Sequence, residues 1–332
     1  MAFTHNHTRK VVLITGASDG LGLAAAKKYA QAGFTTVLAG RSKEKLAKAA
    51  EAVRVAANIK ESQADQKVYS LCFDLSDLDT VRRGAAEFLN FNLPLNVLIN
   101  NAGIFTTARD FTKDSNVFEK TIMVNMVAPL LFTELLITRM KESGGGKILI
   151  VSSNMHHPEQ TAPLAKTKVI ISSGLMLNDR DAKRLILPLD NLDGSKAWDG
   201  QDFYAASKLA DIWWAYVLAD KLSNSEPRIT VNAFCPGPVP ATSLAREYPW
   251  ILRKMAPLIF PLFLSNVLTP EKSAEQYLAY GTDPKFALDN GLYYQRGEKD
   301  KSSDESHDMV KAKTVYNLAC QASGLEDRQV AV

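Results

Sequence analysis

The sequence predicts an α/β chain folded as a doubly wound parallel sheet, and three observations carry that expectation. Short apolar runs alternate with longer stretches of helical period along the chain. Runs such as VVLIT and KILIV are apolar throughout, which suits strands buried on both faces. The first of them ends in a glycine-rich turn that opens a helical stretch. Strands alternating with helices imply a parallel sheet covered on both sides.

In chain order the strand-like runs are VVLIT (11–15), TTVLA (35–39), VYSLCFD (68–74), LNVLIN (95–100), KILIVSS (147–153), ITVNAFC (229–235) and GLYYQ (291–295). Between them lie LAAAKKYAQAG, a Lys/Ala/Glu-rich stretch at 43–57, and helical patterns at 78–91, 117–142 and 204–222. No repeat, low-complexity linker or change of composition divides the 332 residues. The chain therefore reads as one domain over 1–332 with two elaborations, an insert at about 154–203 and an apolar segment at about 243–268.

Composition narrows the function classes. Hydrophobic content of 46% with 23% charged residues is that of a soluble globular protein. The 39 basic and 36 acidic residues are spread along the chain and leave no basic tract, so nucleic acid is not an expected partner. Cys72, Cys235 and Cys320 lie far apart with no C-x-x-C spacing, so neither a metal site nor a disulfide framework is expected. MAFTHNHTRK is polar and short, unlike a signal peptide, and a cytoplasmic location is the expectation. MAPLIFPLFLSNVL (255–268) is shorter than a spanning helix and is broken by Pro257 and Pro261. It leaves open a substrate lid, a homodimer contact and peripheral contact with a membrane surface.

VVLITGASDGLGLA runs strand, glycine turn, helix. Gly16, Gly20 and Gly22 let the backbone turn tightly and approach a pyrophosphate at the helix N-terminus. The second strand ends in AGRS. A site for NAD would place an acid there to hold the ribose 2′-hydroxyl, whereas Gly40 and Arg41 occupy the region. A guanidinium can hold the 2′-phosphate that an acid would repel, so NADP(H) is the expected cofactor. Asp19, inside the glycine loop, is an awkward charge for that phosphate.

Tyr204 and Lys208 stand four apart in DFYAASKLADIWW, on one face of a helix if the segment is helical. Such a pair is either a surface pair or a proton donor tuned by its neighbour. TGASDGLG (15–22), NNAG (100–103), Asn125, Ser153, YAASK (204–208) and the Pro236–Gly237 turn follow in order. Over residues 11 to about 240 they resemble the motifs of the short-chain dehydrogenase/reductase superfamily. The resemblance implies a Rossmann fold and hydride transfer between a nicotinamide and a carbonyl or alcohol. It further implies that Tyr204 supplies the proton, Ser153 hydrogen-bonds the carbonyl oxygen, and Asn125 holds a water linking Lys208 to solvent. Counting from Asn125 favours Ser153 over Ser152 as the serine of the set. Cofactor contacts are implied for Ser18, Asp19 and Leu21 in the loop, for Asp74 and Leu75 at the adenine, and for Asn101, Ala102 and Gly103 at the ribose. Tyr204, Lys208, Pro236, Gly237 and Val239 complete that set. The resemblance also implies a carboxamide contact at Ala241, which Thr242, next to it, is expected to take over.

A free tyrosine has a pKa of about 10, so ionising it at pH 7 for the reverse reaction costs about 4 kcal/mol. An ammonium about 4 Å away supplies roughly 1 kcal/mol in water and about 4 at an effective dielectric of 20. Lys208 can therefore tune Tyr204 only in a sheltered cleft. His156 and His157 are expected at the substrate mouth, and Trp213 and Trp214 in the core.

The long interval between Ser153 and Tyr204 and the ending VYNLACQASGL resemble the retinol dehydrogenase-like and protochlorophyllide reductase-like groups. The latter carry a cysteine just after the lysine, where this chain has Leu209, Ala210 and Asp211. The expected substrate is a bulky apolar carbonyl or alcohol, retinoid-, steroid- or polyketide-like, since apolar pockets take apolar ligands. A C=C reductase and a catalytically silent NADP-sensing scaffold are the alternatives.

Overall fold

The computed structural model describes residues 9–114, 117–157, 189–239 and 267–325. Thr242, most of the 243–268 segment and residues 158–188 of the insert lie outside the described residues. One sheet is built from β1 (Val11–Thr15), β2 (Thr35–Gly40), β3 (Val68–Cys72), β4 (Val97–Asn100), β5 (Gly146–Val151), β6 (Ile229–Cys235), β7 (Tyr293–Gln295) and β8 (Glu298–Asp300). Its order is β3-β2-β1-β4-β5-β6-β7-β8, parallel except for the antiparallel β7–β8 pair. Leu13 of β1 lies between Val37 of β2 and Leu98 of β4, where the strand order reverses. In open sheets of this kind ligands bind outside the carboxyl ends of the strands at that reversal.

The longer helices are α1 (Gly20–Gln31), α2 (Lys43–Ala56), α3 (Leu78–Asn90), α4 (Lys120–Glu142), α5 (Gly200–Lys221), α6 (Pro270–Thr282) and α7 (Met309–Ala322). Alternate strand residues feed two cores, as the two-residue strand period requires. Val12, Ile14, Leu38 and Leu149 pack with α1, α2 and α6. Val11, Leu13, Val37 and Ile148 pack with α3, α4, α5 and α7. The helices start where side-chain acceptors satisfy free N–H groups. Ser42 accepts from Lys45 N, Asp77 from Thr80 N and Asp199 from Gln201 N.

Two helices matter for the site. Helix α4 is long and apolar enough to cross a membrane, but 83% of its apolar window is buried in the fold, as for a core helix. A π-helical turn, Met123–Val127, interrupts it and includes Asn125; single π-turns of this kind frequently mark functional positions. Helix α5 starts at Gly200, four residues before Tyr204, because Asp199 caps it. It lies between the sheet and α7, and Trp213 and Trp214 are fully buried in it. They pack in the core as expected, and Trp213 Nε1 also donates to Glu305 O at 3.0 Å.

The structure differs from the sequence reading at several edges. Strand β3 stops at Cys72 and β5 at Val151, so Asp74 and Ser153 stand in the turns that follow. Strand β8 and helices α6 and α7 were not anticipated as separate elements. Replacing Trp213 with Ala removes a fully buried indole and its hydrogen bond. We predict a loss of about 3–5 kcal/mol in urea unfolding; a loss below about 1 kcal/mol would show that the core refills the space.

Candidate active site

A cleft runs along the carboxyl ends of β1, β2, β4, β5 and β6. At one end it is lined by Gly16, Ser18, Asp19, Gly20, Leu21 and Gly22, with Arg41, Asp74 and Leu75 beside them. Asn101, Ala102 and Gly103 form its middle, and Ser153, Tyr204, Lys208, Pro236, Gly237 and Val239 its other end. Every cofactor-contact residue expected from the sequence and described in the structure therefore lines one cleft. Asn125 stands behind it.

The glycine turn is tight enough to exclude side chains. At Gly16, with φ +66°, a Cβ would lie 2.9 Å from Ala102 Cα. At Gly22 it would lie 2.4 Å from Gly16 O and 2.6 Å from Asn101 Nδ2. Such a turn leaves main-chain N–H groups open to a pyrophosphate, so these residues fit a dinucleotide. Asp19 caps α1, accepting from Gly20 N at 2.7 Å, and its carboxylate is exposed at the cleft edge. Gly40 ends β2 beside Ser18, and Arg41 follows it, exposed at the mouth.

Thr15, given no role in the sequence reading, stitches the middle of the cleft together. Its Oγ1 accepts from Asn101 N and Ala102 N, both at 3.0 Å, and its carbonyl accepts from Asn101 Nδ2 at 2.9 Å. Tyr277 of α6 donates to Asn101 Oδ1 at 2.9 Å. Asn125 grips the next turn on both sides. Its Oδ1 accepts from Ile104 N at 2.7 Å, and its Nδ2 donates to Ile104 O and Ser207 Oγ, each at 2.9 Å. Gly103 lies over this clamp: a Cβ there would sit 3.5 Å from Asn125 Oδ1 and 3.6 Å from Lys208 Nζ.

At the other end, Tyr204 and Lys208 are 9% and 4% exposed, which excludes the surface-pair reading. Lys208 Nζ lies 5.7 Å from the centre of the Tyr204 ring and donates to Val151 O at 2.9 Å. Ser152 Oγ donates to Lys208 O at 2.7 Å, fastening α5 to the end of β5. Of the two serines, Ser153 is the one whose side chain acts on the Tyr204 hydroxyl, and it pulls the phenol down. Phe105 packs edge-on against the Tyr204 ring at 6.0 Å.

The sequence reading gave no role to Asp211. Its Oδ2 lies 2.8 Å from Lys208 Nζ, and its Oδ1 accepts from Trp214 Nε1 at 3.3 Å. Burial raises the Asp211 carboxyl to about 6 against the lowering pull of Lys208. For Tyr204 burial is also the largest cause, and it keeps the phenol above its ordinary value although Lys208 pulls it down. His156 is buried rather than at a substrate mouth: its Nδ1 is 2.5 Å from Ser153 O and its ring packs edge-on against Tyr293. Burial lowers its pKa to about 3, leaving a neutral imidazole.

The profile of the short chain dehydrogenase family matches residues 10–163. The chain is 26% identical to human polyprenol dehydrogenase over 322 residues, covering 96% of this chain and 86% of that one. It is 29% identical to human retinol dehydrogenase 11 over 316 residues (95% and 86%) and to the chloroplastic protochlorophyllide reductase of Pisum sativum over 327 residues (95% and 78%). Among solved structures, an uncharacterised protein of Mycobacterium paratuberculosis has the same fold, with a TM-score of 0.65 and 23% identity over 95% of this chain and 93% of that one. A 3-ketoacyl-(acyl-carrier-protein) reductase of Brucella melitensis gives 0.58 and 21% over 87% and 97%. The chain is thus similar to the short chain dehydrogenase family and, over nearly its whole length, to relatives named for polyprenol, retinol and protochlorophyllide.

Exchanging Lys208 for Met leaves the Asp211 carboxylate buried with only the Trp214 donor. The expected cost is about 3–5 kcal/mol. Without the ammonium the folded-state pKa of Asp211 rises further above its unfolded value. A carboxyl raised in this way stabilises the fold fully below the unfolded pKa and loses that contribution as pH rises through the folded one. The stability gap to the parent protein, read by urea unfolding, should therefore widen from about pH 6 to about pH 8. A gap that stays constant over that range contradicts the buried pairing.

Proposed function

We propose that the protein is an NADP(H)-dependent oxidoreductase acting on a bulky apolar carbonyl or alcohol. The observation that carries this reading is the buried contact of Tyr204 with Ser153 and Lys208 at the end of a cleft whose other end is a glycine turn. When bound, the nicotinamide supplies or accepts the hydride. Tyr204 gives its phenolic proton to the carbonyl oxygen, and Ser153 donates a hydrogen bond to that oxygen. Gly16 to Gly22 hold the pyrophosphate, Asp74 and Leu75 the adenine, and Asn101 to Gly103 the ribose. Pro236, Gly237 and Val239 face the nicotinamide. Ser273 Oγ and Leu268 N pin that turn through Pro236 O and Pro238 O. With both sides of its amide engaged by Ile104 and Ser207, Asn125 acts through its side chain as a clamp on the 101–104 turn.

Choice of NADP(H) rests on Arg41 and Ser18 at the end of β2, where Gly40 stands in place of an acid. The substrate class is supported by the apolar composition of 255–268 and by relatives named for retinol and polyprenol. Carbonyl chemistry is favoured over C=C reduction because Leu209, Ala210 and Asp211 follow the lysine and none of them is a cysteine.

Arg41→Asp should weaken NADPH binding by about 1.5–3 kcal/mol, the worth of a charge-assisted contact, and shift preference toward NADH. Fluorescence titration with both nucleotides reads this directly, and equal affinity of the parent protein for the two would reject the NADP(H) assignment. Tyr204→Phe keeps the ring and removes the proton donor, so kcat should collapse while NADPH affinity holds within a few fold. Steady-state reduction of all-trans-retinal is the assay. Turnover retained near the parent rate in the Phe variant would place the proton donor elsewhere.

A further inference from the structure

The Asp211 carboxylate has no part in the reaction as set out above, yet among the described residues it is the carboxylate whose charge acts on the Tyr204 phenol. It sits three residues after Lys208 on α5, with side chains 2% and 6% exposed. On a surface, such a pair is common and worth little. Buried, it requires two ions to leave water, and well-packed apolar side chains would serve stability as well. One member of this pair is the lysine beneath the proposed proton donor. Trp214 Nε1 and Lys208 Nζ each donate to a different oxygen of the carboxylate, which fixes its plane.

We propose that Asp211 is the counter-ion of Lys208, a positioning residue that holds the ammonium against the end of β5 and cancels its field at Tyr204. Tyr204 thereby stays protonated, and the site is set for carbonyl reduction over alcohol oxidation. The proposal rests on Tyr204 being the proton donor. A lone ammonium beside a phenol favours the phenolate, whereas an ammonium with a carboxylate 2.8 Å away presents little more than a dipole.

The environment of the phenol agrees with this. Burial acts most strongly on Tyr204 and raises its pKa; Lys208 lowers it, and Asp211 raises it again. Burial is the largest influence on Lys208 and lowers it, but Asp211, together with Tyr204 and Cys235, raises it by more, so the ammonium stands above its ordinary value. Cys235, from β6, and Tyr277, from α6, also face the phenol, and burial raises both, so each is neutral near pH 7. Among the described residues the Lys208–Asp211 pair thus supplies the formal charge that Tyr204 meets. In the reducing direction the substrate carbon receives the hydride and its electron pair, and the oxygen receives the phenolic proton. Solvent then returns a proton to the phenolate. Oxidation needs the phenolate at the outset, the form that the counter-ion disfavours.

The test needs no substrate. Ionisation of Tyr204 is followed at the tyrosinate absorbance band, as the difference between the protein and its Tyr204→Phe variant, with saturating NADP⁺ in both. Asp211→Asn removes the charge and keeps the shape; Asp211→Ala removes the charge without adding an amide that must be satisfied. In either background the Tyr204 midpoint should fall by about one pH unit. An unchanged midpoint in a folded variant overturns the proposal. With all-trans-retinal and all-trans-retinol as probes, the ratio of reduction to oxidation at neutral pH should also fall several-fold on Asp211→Asn, and an unchanged ratio overturns the directional part. Failure of the parent protein to turn over either probe would tell against the substrate class, while the midpoint still decides the role of Asp211.

Discussion

Lys208 carries a full charge to a position where its side chain is 6% exposed, and a charge so placed has to be paired and hydrogen-bonded. Its partners come from two elements. Val151 O is the last carbonyl of β5, and Asp211 lies one turn further along α5. Satisfying the ammonium therefore fixes where α5 crosses the end of β5, and Ser152 tightens the same junction through Lys208 O. Once that junction is fixed, Tyr204, one turn before Lys208, meets Ser153, the second residue after β5. The proposed reacting geometry follows from the pairing of one buried cation.

The rest of the cleft depends on a sheet whose parallel strands all end on the same side. Thr15 from β1 holds the turn after β4, Tyr277 from α6 braces that turn from outside, and Asn125 from the π-turn of α4 grips its far end. These contacts use buried hydroxyls and amides, which are costly if left unpaired and rigid when satisfied. A surface on which a cofactor can lie is held by side chains that need not touch it.

Much of this arrangement was legible in the sequence. All seven parallel strands were identified, most of them because runs buried on both faces are largely apolar, though β3, with Ser70 exposed, is not. Strand β8 was not, since EKD is three exposed charged residues whose pairing comes from the tight return after β7. The candidate catalytic set was readable from the family resemblance, whose spacing from Asn125 also favoured Ser153 over Ser152. Asp211 was missed because a lysine and an aspartate three apart on a helix ordinarily face solvent. Only the packing of α5 between the sheet and α7 turns that pair inward. Likewise His156 was expected at the substrate mouth, and its burial against Tyr293 shows a neutral ring inside the fold.

The central claim is that this cleft delivers hydride to a carbonyl carbon while Tyr204 protonates the oxygen. Its most direct measurement is the fate of label from NADPH deuterated at its transferable position, with all-trans-retinal as acceptor and the product analysed by mass spectrometry and NMR. One deuterium bonded to the carbinol carbon of the resulting alcohol, in a reaction that Tyr204→Phe abolishes, is the predicted result. Deuterium on a carbon of the polyene chain, or alcohol formed without label, would contradict it.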